Sequence, residues 1–271
     1  MKKLMLIPLL ALSACSYDSG NRSIKAQNNA AIINGQNVTD VEDYALSTVA
    51  LVAEREGQIS TFCTGTLISN NLVVTAAHCT AVFERMQAKV LFGTTIPTDS
   101  KDARLVEIEE SISNKDFGVD SKTGLTKGDV AVIKLVGGAP EGYKPVPVLE
   151  SVSAIKAGDA LSLIGWGRMS ETEKVKTTNL QKTVVEVAQV RDEEIVTDQT
   201  KGTGACNGDS GGPAYIETSK GLVLAGATRG PETGYVDCHH YGNYTLLVNY
   251  KDFLKYAAQA MQGEYPQFVT P

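Results

Sequence analysis

Histidine is scarce in this chain and basic residues are in the minority, and each shortage excludes something. Histidine occurs three times in 271 residues. Two of the three, His239 and His240, have no partners at ligand spacing, so no metal site and no cofactor is expected. Aromatic residues make up 6%, with one tryptophan. Basic residues are outnumbered, 25 Lys and Arg against 31 Asp and Glu, for a net charge of −6. A nucleic-acid binder would carry a basic face, so that class is set aside. The acidic balance says little beyond good solubility. What remains is ordinary for a globular protein, 42% hydrophobic and 21% charged, and long enough for one large core or two packed half-cores.

The chain begins as a targeting segment. Lys2 and Lys3 precede the apolar run Leu4 to Leu12, which Pro8 interrupts. About 20 apolar residues are needed to span a bilayer, so this run reads as a signal peptide over 1–14. Leu12-Ser13-Ala14-Cys15 resembles the lipobox of bacterial lipoproteins, in which the cysteine is lipidated and becomes the mature N-terminus. Leu12 fits ordinary small-x-small cleavage poorly, which favours the lipobox. Ser16, in place of Asp, leans toward the outer membrane. The five cysteines are Cys15, Cys63, Cys79, Cys206 and Cys238. An exported protein lives where disulfides persist, four cysteines can pair, and lipidation gives Cys15 another fate.

Residues 15–31 are polar and rich in Asn and Ser, a tether or propeptide. From Ile32 onward short β-like runs recur: Ser47–Ala53, Leu72–Ala76, Lys89–Phe92, Arg104–Ile108, Val130–Val136, Ala160–Ile164, Thr183–Val187, Ala214–Ile216, Leu222–Ala227 and Tyr244–Val248. Turn signals such as Asn70-Asn71, Gly137-Gly138 and Ser219-Lys220-Gly221 separate them, which argues for barrels or sandwiches. Gly137 to Pro147 is the best linker. At the end Asn249 is placed to cap a helix whose apolar positions are Tyr250, Phe253, Leu254, Ala257, Ala258 and Met261.

Three segments carry chemistry: Thr75-Ala76-Ala77-His78-Cys79, Gly128-Asp129-Val130-Ala131-Val132, and Gly208-Asp209-Ser210-Gly211-Gly212-Pro213. A serine hydroxyl is a poor nucleophile until a base takes its proton. A base working near neutral pH is best supplied by histidine. A carboxylate must then fix the imidazole's tautomer and stabilise its charged form. His78, Asp129 and Ser210 supply these types, in the order His, Asp, Ser. The three motifs, with Ile32-Ile33-Asn34-Gly35, Phe62-Cys63-Thr64-Gly65-Thr66-Leu67-Ile68, Gly165-Trp166-Gly167 and Gly242-Asn243-Tyr244-Thr245, resemble the signatures of chymotrypsin/trypsin-like serine proteases. The resemblance runs from about Ile32 to Met261.

That resemblance implies an all-β fold of two packed six-stranded antiparallel Greek-key barrels with a C-terminal helix. The N-terminal barrel would hold 32–140, with His78 and Asp129. The C-terminal barrel would hold 141–248, with Ser210 and the specificity pocket, followed by a helix and tail at 249–271. It implies disulfides Cys63–Cys79 and Cys206–Cys238, and an oxyanion hole from the backbone N–H groups of Gly208 and Ser210. It also implies a zymogen: cleavage of Ala31–Ile32 would free an α-amino group at Ile32 to pair with Asp209. The pocket base falls six residues before the nucleophile, at Gly204, beside Ala205, with Gly230 and Gly242 at the walls. No carboxylate stands at the base, so Lys or Arg specificity is not expected. Three glycines suggest an open slot for bulky apolar or aromatic side chains, with a shallower elastase-like slot as the alternative. Arg229, if turned inward, would instead favour acidic substrates.

The expected activity is therefore a serine endopeptidase acting through an acyl-enzyme on polypeptide substrates. The expected setting is an exported monomer, a lipoprotein of the outer membrane or cell surface. An unknown activating protease would release it to periplasm or medium by cutting behind the anchor. The rivals are a catalytically silent homologue acting as a lipid-anchored binding protein, a structural or adhesive lipoprotein, and an esterase. A structural lipoprotein gives no reason for the His, Asp, Ser set or the Ile32 and Asp209 pair, a silent homologue would usually have lost a member of that set, and a peptide substrate assay discriminates the esterase.

Overall fold

The computed structural model describes residues 32–119, 126–170 and 177–271. The expected signal peptide at 1–14, the expected tether at 15–31, Cys15 and the Ala31 side of the expected activation bond lie outside the described residues. Six strands form the first barrel: β1 (Thr48–Arg55), β2 (Gln58–Ser69), β3 (Leu72–Thr75), β4 (Ala88–Leu91), β5 (Leu105–Ser113) and β6 (Ala131–Leu135). They close in the order β1-β2-β3-β6-β5-β4, every pairing antiparallel. The second barrel has β7 (Ala160–Gly165), β8 (Gln181–Val190), β9 (Glu194–Asp198), β10 (Pro213–Thr218), β11 (Gly221–Pro231) and β12 (Tyr241–Leu246). Its ring is β7-β8-β9-β12-β11-β10, also antiparallel and closed by β10 on β7. The all-β, two-barrel expectation is met. Val148–Leu149 adds to β11 in parallel and carries the C-terminal Phe268–Val269 on its other edge.

Strand periodicity explains why the first barrel's strands read as near-continuous apolar runs. Val49, Leu51, Val73, Ile133 and Leu135 share a cluster inside the first barrel. Their neighbours Ala50, Val52, Leu72, Val74 and Val132 point to the other face and join Ile164, Trp166, Tyr215 and Leu224 of the second half. One face fills the barrel and the other fills the seam, so alternation between apolar and polar is lost. Each fully buried side chain of this kind contributes roughly 1.5–3 kcal/mol. The helix Lys251–Ala260 lays Leu254, Ala257, Ala258 and Met261 onto the same seam cluster.

Two local expectations change. Asn249 does not cap that helix: a 3₁₀ turn, Leu247–Tyr250, runs directly into it, and the Asn249 side chain donates to the Asp192 carbonyl instead. Strand β9 is not among the runs read from the sequence, because its β-branched centre, Ile195-Val196-Thr197, is short and flanked by Glu194 and Asp198. The Glu194 carboxylate is buried only because Arg191 and Arg229 both pair with it, at 2.5 and 2.7 Å.

Candidate active site

His78 sits on the single helical turn Ala77–Thr80 that follows β3, and Asp129 lies just before β6, the strand next to β3 in the sheet. Pairing of β3 with β6 therefore brings both to one end of the barrel. Asp129 is buried, and both carboxylate oxygens face His78. Oδ1 accepts from the His78 backbone N–H at 3.0 Å, and Oδ2 lies 2.8 Å from Nδ1. With Nδ1–H committed to the carboxylate, the tautomer leaves Nε2 as the free acceptor nitrogen. The Asp129 peptide is gripped from the other half of the molecule: Thr245 Oγ1 on β12 donates to its carbonyl at 2.9 Å. The Gly128 N–H donates to Tyr250 Oη at 3.2 Å. Gly128 has φ +61°, and a Cβ there would lie 2.8 Å from the backbone of Asp116.

Ser210 stands in the connection from β9 to β10, on a bend held by short backbone bonds. Asp209 N–H reaches the Cys206 carbonyl at 3.0 Å, Gly212 N–H the Asp209 carbonyl at 2.8 Å, and Gly211 N–H the Thr228 carbonyl at 2.7 Å. The first barrel holds the same bend from across the seam. Thr64 N–H on β2 donates to the Ser210 carbonyl at 2.8 Å, and Thr64 Oγ1 donates to the Gly208 carbonyl at 3.1 Å. Cys79, next to His78, has its sulfur 3.6 Å from that same Ser210 carbonyl. Gly208 has φ +106°, and Gly211 has no room for a Cβ, which would fall 2.0 Å from Thr75 Oγ1. The serine loop and the histidine turn thus share one wall of the cleft.

Cysteines pair as Cys63–Cys79, which joins β2 to the histidine turn, and Cys206–Cys238, which joins the serine loop to the connection before β12. Cys63, His78 and Cys79 converge within 4.8 Å, yet the two sulfurs are bonded to each other and offer no thiolate to a metal. His239 and His240 are exposed, and His240 Nδ1 lies 2.7 Å from Asp237.

Asp209 is buried beneath the serine. Its carboxylate accepts from Gly167 N–H at 2.7 Å and Cys206 N–H at 2.8 Å. A Cβ on Gly165 or Gly167 would lie 2.1 or 2.2 Å from its oxygens, which gives the Gly-Trp-Gly segment its physical reason. Burial outweighs both hydrogen bonds and pushes this carboxyl up to about 7. Ile32 is also buried, in the second barrel's cluster with Ala205. The residues after it are tied to the segment ahead of the serine. Ile33 N–H donates to the Gly204 carbonyl at 3.0 Å, Thr203 Oγ1 to the Ile33 carbonyl at 2.7 Å, and Asn34 Nδ2 to the Gly202 carbonyl at 2.6 Å.

Beside Ser210 lies a cavity of about 60 Å³ whose walls include Ala205, Thr228, Gly230 and Gly242. Gly204 does not line it. The side chain of Gln199, a residue the sequence did not single out, covers Gly204 and becomes the floor. The open slot expected from three glycines is therefore filled at its base. Arg229 does not turn into this cavity either. Its guanidinium lies 10% exposed against Glu194 and borders a separate depression with Arg191 and Glu193.

The chain is similar in sequence to several known proteins. Phenoloxidase-activating factor 1 of Holotrichia diomphalia is 31% identical over 231 residues, covering 71% of this chain and 60% of that protein. Chymotrypsin-2 of Vespa crabro is 32% identical over 167 residues, covering 56% of this chain and 71% of that protein. Brachyurin of Leptuca pugilator is 30% identical over 207 residues, covering 68% of this chain and 84% of that protein. The family profile described as Trypsin matches residues 32–254, and the chain belongs to that family of chymotrypsin/trypsin-like serine proteases.

Proposed function

We propose that this chain is the zymogen of a serine endopeptidase. The observation that carries the reading is the buried Asp129 carboxylate holding His78 at Nδ1, with the Ser210 loop packed against the residue next to that histidine. In the proposed reaction Ser210 Oγ attacks a peptide carbonyl while His78 Nε2 takes its proton. The Gly208 and Ser210 N–H groups receive the developing oxyanion. His78 then protonates the leaving amine, and water repeats the sequence on the acyl-enzyme. Asp129, held against Nδ1, stabilises the imidazolium that forms.

Activation follows from Asp209. A buried carboxylate without a cation is costly, and a new ammonium at Ile32 is the partner the family's chemistry supplies. Because 33–34 are already strapped to 202–204, pairing there would act directly on the segment that leads into the serine loop. If Cys15 is lipidated, the same cut frees the enzyme from its anchor, so that activation and release are one event. The cavity floor carries no charge, which supports uncharged rather than Lys or Arg side chains beside the cut bond.

The test is labelling of the purified active form with a small fluorophosphonate, together with its N-terminal sequence. Ser210 is expected to be the labelled residue and Ile32 the first residue. Ser210→Ala is expected to abolish labelling and lower peptide turnover by about 10⁶-fold while the thermal unfolding curve is kept. Turnover that survives in Ser210→Ala would discard the mechanism.

A further inference from the structure

Gln199 is the residue that the cavity is built around. It follows β9 directly and is 2% exposed. Its Nε2 donates to the Ala205 carbonyl at 3.2 Å and the Cys238 carbonyl at 2.9 Å, and its Oε1 accepts from Ala205 N–H at 2.8 Å. Its own N–H donates to the His240 carbonyl at 2.8 Å, and its carbonyl accepts from Gly202 N–H at 3.1 Å. The amide therefore bridges the two walls that the Cys206–Cys238 disulfide also joins, and both of its N–H donors are used. Such a side chain does not swing aside without breaking three hydrogen bonds to buried backbone groups.

Gly204 and Gly242 make room for this amide, while Gly230 faces open space in the cavity. A Cβ on Gly204 would fall 2.2 Å from Gln199 Cδ, and one on Gly242 would fall 2.8 Å from Oε1. What is left above it is the cavity of about 60 Å³. One buried water needs about 10–15 Å³ measured the same way, so the space holds a few water-sized groups, the bulk of a small side chain. The one acidic residue among its described lining, Asp237, is engaged by His239 N–H at 2.9 Å and His240 Nδ1 at 2.7 Å.

We propose that Gln199 is a specificity-determining residue. It closes the primary pocket so that the enzyme cuts after small uncharged side chains of the size of Ala, Ser, Thr or Val. It rejects Phe, Tyr, Lys and Arg at that position. This deepens the peptidase reading and rests on it. The bulky-aromatic preference expected from the sequence assumed the space that Gln199 fills.

The experiment compares peptide substrates that differ only in the residue whose carbonyl is attacked, using active enzyme counted by fluorophosphonate labelling of Ser210. Wild type is expected to cleave after Ala or Val about 100-fold better, in kcat/KM, than after Phe, a discrimination of the size that filling or blocking a pocket produces. Gln199→Ala should deepen the slot and shift the Phe-to-Ala ratio at least tenfold toward Phe. Gln199→Met keeps the bulk and should keep the small preference. If these variants fail to fold, the same ratio read on wild type with alanyl and phenylalanyl phosphonate inhibitors still decides. Labelled wild type that prefers Phe or Lys, or Gln199→Ala with an unchanged ratio, would overturn the proposal and leave the peptidase reading standing. No labelling of Ser210 would remove the peptidase reading itself, and this proposal with it.

Discussion

The two barrels are the same object built twice and used differently. Each closes with its strands in the order first, second, third, sixth, fifth, fourth. In each, the connection between the third and fourth strands carries a chemical group: His78 in the first barrel, Ser210 in the second. In each, the connection between the fifth and sixth carries its support: Asp129 in one, the Cys238 wall of the cavity in the other. The sequences show no repeat, because a barrel demands only which positions are apolar and where the chain turns. The difference lies in what is buried at those loops. The first barrel buries a carboxylate that is compensated by a histidine. The second buries one, Asp209, that in the unprocessed chain has two backbone donors and a raised pKa.

The largest way to break this comparison is Asp129→Asn. An amide at that position donates where the carboxylate accepted, so His78 must turn over to its other tautomer and Nε2 no longer accepts a proton. Within this family that exchange lowers kcat by about 10⁴-fold with the geometry kept, and the same loss is expected here. Steady-state kinetics on the active form, with recovery at alkaline pH as a second readout, check it. A loss below tenfold would mean that the first barrel does not carry the base.

Next in size is the uncompensated carboxylate of the second barrel. Its folded pKa, about 7, lies above the ordinary value for Asp. The folded chain therefore holds a proton that the unfolded chain releases between about pH 4 and 7. Stability from this group is fully present below about pH 4, falls as pH rises, and is lost by about pH 7, on the order of 4 kcal/mol. In the unprocessed Ser210→Ala chain, Asp209→Asn should leave urea stability nearly unchanged at pH 4 and raise it at pH 8. Once Ile32 is the N-terminus, the sign at pH 8 should reverse, because the aspartate then has its cation. Equal effects at both pH values would show that Asp209 is already compensated before processing.

The disulfides give a smaller contrast. Cys63–Cys79 closes a span of 16 residues and Cys206–Cys238 one of 32. Loop-closure entropy assigns about 3 kcal/mol to the first and somewhat more to the second. Paired Cys→Ser variants should follow that order in urea unfolding. Loss of the second should also loosen substrate choice, since Gln199 is anchored on the Cys238 carbonyl. Unchanged selectivity in that variant would show that the cavity holds its shape without the bridge.

How much of this was legible in the sequence depends on where each residue's reason lies. Ten strand segments could be read from local apolar runs. Strand β2 was recognisable through its resemblance to known proteases, around Cys63. Strand β9 was hidden because its short β-branched centre is flanked by Glu194 and Asp198, and the burial of Glu194 depends on its meeting Arg191 and Arg229, one from the preceding turn and one from β11. His78, Asp129 and Ser210 stood out through their residue types in the order His, Asp, Ser and through the resemblance of their motifs to those of known serine proteases. Gln199 gave no such sign. A glutamine after a strand reads as surface, and only the empty places at Gly204 and Gly242, distant in sequence, show that something must fill them. Pocket glycines report absent side chains, and the sequence does not say whether substrate or protein occupies the gap.

The smallest prediction tests the joint between the halves. Thr245 belongs to β12 of the second barrel, yet its hydroxyl donates to the carbonyl of Asp129 in the first, and both residues are buried. Thr245→Val keeps the shape and removes the donor, so the carbonyl loses its partner in a place with little access to water. The cost should be about 1 kcal/mol, rising toward 3 if no other group turns to satisfy it. It should appear as a lower urea midpoint with an unchanged slope. Because Asp129 also aims His78, kcat should fall with stability, about tenfold, while KM for a small substrate stays constant. A stability loss with kcat intact would mean that the second barrel supports the first barrel's fold but not its catalytic geometry.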